Sequence, residues 1–142
     1  MVSNELIELY DQSNQFGRLI GLKYQVQEDG TLINTITIEE KHLATPIASH
    51  GGVLATLADS TLGMAALMIS KDNGNLVSTV EFKISYLKPA RLGDTITGVP
   101  RVRQVGKKII FVEADFINQD GVVVALANGT FNQYPMDKVF QF

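Results

Sequence analysis

The spacing of apolar and polar residues changes three times along this chain. Leu6, Ile7 and Tyr10 give positions 1–15 a weak helical face. From Phe16 the repeat shortens to two. Leu22, Tyr24 and Val26 alternate with Lys23, Gln25 and Gln27, Glu28-Asp29-Gly30 supplies a turn, and β-rich residues run from Leu32 to Ile38. This predicts a hairpin. Positions 41–49 form a loop holding Pro46, and positions 51 to about 70 predict one long helix, ended by the turn-forming Lys71-Asp72-Asn73-Gly74-Asn75. The remainder predicts strands at 76–87, 94–105, 108–117 and 122–134, joined by short links. Short links favour an antiparallel meander of all four. So apolar a helix must lie against that sheet, which predicts an α+β domain with the sheet curled around it.

A length of 142 residues suits a single domain over 1–142, large enough to fold on an apolar core alone. There is no cysteine, which excludes disulfides, thiolate metal sites and a cysteine nucleophile. A net charge of −3 argues against nucleic acid as a partner. The first 15 residues carry acids and no apolar signal core, and the run 53–69 is interrupted by Asp59 and by Ser, Thr and Gly, a poor membrane span. A soluble, cytoplasmic protein is expected.

Within the long helix, a wheel at about 100° per residue gathers Val53, Leu54, Leu57, Met64, Leu67 and Met68 on one side. Gly52, Ala55, Asp59, Gly63, Ala66 and Ser70 gather opposite. The first stripe is core. The second is a row of small residues holding one carboxylate, with no basic residue between positions 53 and 70 to pair it. A small face lets a ligand, another element or a second subunit approach closely. A carboxylate there is costly unless hydrogen-bonded. In the simplest structural reading, Asp59 bonds a backbone group or faces solvent.

His50 stands just before this helix and Gly51-Gly52 begin it. The first N–H groups of a helix lack intrahelical partners and sit in a field that favours negative charge. Glycine at that point lets a substrate carbonyl approach, as an oxyanion hole requires. A tight turn with a capping histidine explains the same residues structurally. In 76–87, Ser78 falls in step with Val80, Phe82, Ile84 and Tyr86, so it is expected on the core side, able to hold Asp59 or a water beside it.

Together, His50-Gly51-Gly52, the spaced Leu57-Ala58-Asp59, and the later Tyr86-Leu87-Lys88-Pro89-Ala90-Arg91-Leu92-Gly93-Asp94 resemble the hotdog-fold acyl-CoA thioesterases of the PaaI-like (phenylacetate-pathway) type over roughly positions 16–134. The resemblance implies a hotdog fold of about six antiparallel strands around one central helix. It implies hydrolysis of an aryl- or fatty acyl-CoA, with coenzyme A part of the substrate and no separate cofactor or metal. Asp59 would be general base or nucleophile, and the Gly51 N–H would polarise the thioester carbonyl. His50 would shape the site, Ser78 would position the aspartate or the water, and Gly52 would lie against substrate. It further implies a homodimer, often a dimer of dimers, with the glycine turn of one chain facing the aspartate of the other.

One departure stands out. Family members commonly carry asparagine six residues before the histidine and glycine three before it; here these are Ala44 and Ile47. Thr45 or His42 is the available substitute for the missing amide. Seven of the twelve basic residues lie between positions 83 and 108, with Asp94 the only acid among them. Lys88 and Arg91 are the candidates to meet the phosphates of coenzyme A, while Arg101 and Arg103 have Glu113 and Asp115 available across a hairpin. The alternative functions are a non-catalytic binder of acyl-CoA or an aromatic ligand on the same fold, and a small face that serves only packing between subunits.

Overall fold

Two short helices lead the chain in the computed structural model, which describes residues 2–138: α1 (Val2–Ser13) and α2 (Gln15–Ile20). Position 1 of the expected N-terminal segment and positions 139–142 of the expected domain lie outside the described residues. The second helix interrupts the expected strand period, and its end groups account for it. Asn14 caps it by accepting from the Gly17 N–H at 2.9 Å, and Gly21, at φ 83°, closes it in the left-handed region. Alternation begins at Lys23. The hairpin of β1 (Lys23–Val26) and β2 (Leu32–Thr37) forms as expected, with Val26 opposite Leu32.

The long helix is α3 (Gly51–Ser70), followed by β3 (Asn75–Tyr86), β4 (Thr95–Val105), β5 (Ile109–Ile117) and β6 (Val123–Pro135). All six strands form one antiparallel sheet in the order β1-β2-β4-β5-β6-β3. The meander therefore holds three strands, not four, and β3 lies on the far edge against β6. The link after β3 explains this. The Ser49 N–H donates to the Ala90 carbonyl at 2.8 Å, Ala48 bridges to Arg91, and the Gly93 N–H donates to the Ile38 carbonyl at 2.8 Å. That link is tied across the tip of α3 to the end of β2, so the chain is carried over the helix before β4 begins.

The sheet encloses α3 on most sides. Leu54, Leu57, Ala58, Leu62 and Ala66 join Ile36, Ile96, Val112, Phe116 and Phe131 in the main core. Ala66 and Ser70 are fully buried, the Ser70 hydroxyl donating to Gln133 Oε1 at 2.6 Å, so the small stripe is open only along Gly52, Ala55, Asp59 and Gly63. By length and hydropathy the segment Gly51–Asn73 would suffice to cross a membrane, although its polar interruptions suggested otherwise. Here it is a core helix wrapped by strands.

Candidate active site

At the tip of α3, the His50 Nδ1 accepts from the Gly52 N–H at 2.8 Å and the His50 carbonyl accepts from Val53 at 3.1 Å. The imidazole is thus the helix cap, and the Gly52 amide is engaged. The Gly51 N–H donates to no group among the described residues. The Tyr86 hydroxyl donates to the Gly51 carbonyl at 2.6 Å and fastens the turn to the end of β3. The tip opens on a cleft of about 410 Å³ lined by Ser49, Gly51, Leu54, Tyr86, Lys88 and Pro89, among others.

Two turns further along, Asp59 is half-buried, and its Oδ1 accepts from the Thr79 hydroxyl at 2.7 Å. Ser78 makes no such bond. The reason is a bulge: the β3–β6 register slips between Thr79 and Glu81, leaving Val80 unpaired. Before the slip Val77 and Thr79 face the buried Gln133 and Phe131; after it Phe82 and Ile84 face the buried Gly129 and Ala127. One extra residue exchanges the inward and outward sets of a strand. Counting back by twos from Phe82 therefore lands on Ser78, whereas the residue beside the aspartate is Thr79. Ser78 and Thr79 both border the neighbouring cavity and both are exposed; only the Thr79 hydroxyl bonds the carboxylate.

That cavity, about 300 Å³, lies between the middle of α3 and the start of β3, with Asp59, Ser60, Met64, Leu67, Val77 and Phe131 in its wall. Tyr10 also lines it and escaped the sequence reading, since one tyrosine on a weak helical face carries no positional signal. Burial pushes the Tyr10 phenol up to about 12, the neighbouring Tyr24 and Asp59 adding to the rise against an opposing Ser60 hydroxyl. Burial likewise raises the Tyr86 phenol above its ordinary value.

Gly51 and Asp59 belong to different cavities. Eight residues of helix separate them, about 12 Å along the axis at 1.5 Å each. No single thioester carbon reaches both from one chain.

The two residues available to replace the family amide line neither cavity. His42 is buried at 2% exposure; its Nδ1 accepts from the Glu39 N–H at 2.9 Å and its Nε2 donates to the Ile20 carbonyl at 2.7 Å. The Thr45 hydroxyl oxygen accepts from the Ala48 N–H at 3.0 Å within its own turn, outside both cavities. Lys88 lines the cleft at the helix tip, whereas the exposed Arg91 does not. Neither has a carboxylate partner among the described residues. Arg101 binds Asp115 through two contacts of 3.0 and 2.9 Å, and Arg103 pairs with Glu113 at 3.4 Å, so these two are strand-pairing residues.

A six-stranded antiparallel sheet curled around one long helix is the hotdog fold. The solved structure of the PaaI protein of Escherichia coli, from its phenylacetic acid degradation operon, has the same fold, with a TM-score of 0.83 over 93% of each chain at 23% identity. The model of the thioesterase superfamily matches residues 49–125. Human acyl-coenzyme A thioesterase 13 is 30% identical over 116 residues, 81% of each chain. A Streptococcus mutans protein solved bound to acetyl CoA is 28% identical, with a TM-score of 0.68 over 80% of this chain and 89% of that one. The chain belongs to the thioesterase superfamily.

Proposed function

We propose that this protein hydrolyses acyl-CoA thioesters at a site completed by two copies of the chain, with Asp59 from one and the Gly51 N–H from the other. The observation that carries this reading is the pair of half-sites. A carboxylate held by Thr79 stands at an apolar cavity, and a helix-tip amide without a partner among the described residues stands about 12 Å away along α3. A second copy antiparallel to the first brings each half opposite its complement. The surface for it is available: β3 is a twelve-residue edge strand with one side unpaired and Val80 58% exposed. Edges of that length invite pairing.

In the reaction, the Asp59 carboxylate takes a proton from a water whose oxygen attacks the thioester carbonyl carbon. The carbonyl oxygen becomes an oxyanion held by the Gly51 N–H. Collapse breaks the carbon–sulfur bond, and the Asp59 proton passes to the departing coenzyme A sulfur. Lys88, which lines the cleft with Gly51, and Arg91, which has no carboxylate partner among the described residues, are the cations for the phosphates of that leaving group. The apolar cavity beside Asp59 takes the acyl group, aryl or fatty.

A mutant panel with thiol trapping tests this. Asp59→Asn keeps the size and the Thr79 contact but loses the base, so turnover should fall about 10²–10⁴-fold, and an unchanged rate refutes it. One observation favours a second reading, a binder without turnover: Ala44 and Ile47 stand where the family carries its amide and glycine, and neither substitute lines either cavity. Tight acyl-CoA binding with no thiol released by the unmodified protein would establish it.

A further inference from the structure

The wall of the cavity beside Asp59 is built almost wholly from the enclosed helix and from strands β3 and β6. Tyr10 is the exception. It comes from α1, which rests through Leu6, Ile7 and Tyr10 on a smaller apolar cluster of Leu32, Met64 and Leu67. Its ring meets Tyr24 edge to face, centroids 5.8 Å apart at 78°. The Tyr24 oxygen accepts in turn from Asn14 Nδ2 at 3.0 Å, the same asparagine that caps α2. The corner between α1 and α2 thus fixes Tyr24, and Tyr24 fixes the Tyr10 ring. Several other lining residues serve the fold as well: Met64 and Phe131 are at most 2% exposed, and Gly63 faces the Phe131 ring. A change in their size disturbs the core. A change at Tyr10 alters the cavity with less consequence for the rest.

We propose that Tyr10 is a specificity-determining residue, an aromatic wall presented by the N-terminal helix that limits the bulk of the acyl group accepted beside Asp59. This rests on the acyl-CoA reading above. A cavity of about 150 Å³ accommodates a benzene molecule, so about 300 Å³ has room for an acyl group, and the Tyr10 ring is the part of its wall that comes from outside the enclosed helix and the strands. The phenol stays neutral throughout the physiological range, so the wall is polar at its tip without carrying charge.

The test measures kcat/KM for a series of acyl-CoAs of increasing acyl bulk with the full chain and with Tyr10→Ala, each variant checked by thermal melting. In Tyr10→Ala the ratio of the bulkiest to the smallest substrate should rise about tenfold or more, as removing bulk from an apolar pocket does elsewhere. A folded Tyr10→Ala protein with the original ratio overturns the assignment. If that variant does not melt cooperatively, Tyr10→Leu, which keeps aliphatic packing on α1, is judged by the same ratio. An unmodified protein that releases thiol from no substrate overturns the acyl-CoA reading itself, a result distinct from an unshifted profile.

Discussion

Replacing Gly51 by proline removes one atom group from the proposed site, the N–H that receives the oxyanion. The surrounding backbone accepts this residue. Gly51 is the first residue of α3, the helical position where proline is favoured because its N–H has no intrahelical partner. His50, at φ −60° and ψ 137°, already has the extended conformation required before proline. A Cβ at Gly51 comes within 3.2 Å of the Tyr86 Cζ and hydroxyl. That ring is half exposed and can shift, at the expense of its bond to the Gly51 carbonyl, about 0.5–1.5 kcal/mol. Stability should therefore change little, while loss of an oxyanion donor lowers kcat about 10²–10³-fold. Refolding Gly51→Pro together with Asp59→Asn then separates one-chain from two-chain sites. With random pairing in a two-fold dimer, half the dimers are mixed and each mixed dimer holds one intact site, so about a quarter of the original activity returns. Thiol release by the mixture, compared with either variant alone, is the assay. If the mixture is no more active than its components while both are folded and paired, the composite site is refuted.

Two further outcomes follow from the same geometry. Thr79→Val deletes the hydroxyl that holds Asp59 while keeping its shape, so kcat should fall at least about tenfold, whereas Ser78→Ala should leave kcat near its original value; the reverse order would restore Ser78 as the supporting residue. At alkaline pH, the Tyr10 phenol titrates near 12 in the folded chain and about 10 in the unfolded one. The stability linked to it is complete below about pH 10 and is lost as pH rises toward 12, because only the unfolded chain then releases the proton. Denaturant midpoints between those values should decline less steeply in Tyr10→Phe, and superimposable curves would contradict the burial ascribed to this ring.

The elements that carry strong local signals were legible along the chain. The helix of positions 51–70, the first hairpin, the cap at His50 and the aspartate on a small face all depend on residues within a few positions of one another. Spacing alone also implies that Gly51 and Asp59 lie too far apart along one helix to share a substrate atom. The tertiary structure decided what depends on contacts distant in sequence. An unpaired Val80 reverses the parity of β3 and puts Thr79 in place of Ser78, since a linear count of alternate residues has no means of locating a bulge. The tie of positions 48, 49 and 90–93 across the helix tip sends β3 to the sheet edge, which a rule based on short links does not foresee. Enclosure by a curled sheet buries Ala66 and Ser70, which a wheel assigns to the same face as Asp59, because strands approach the helix from several directions at once.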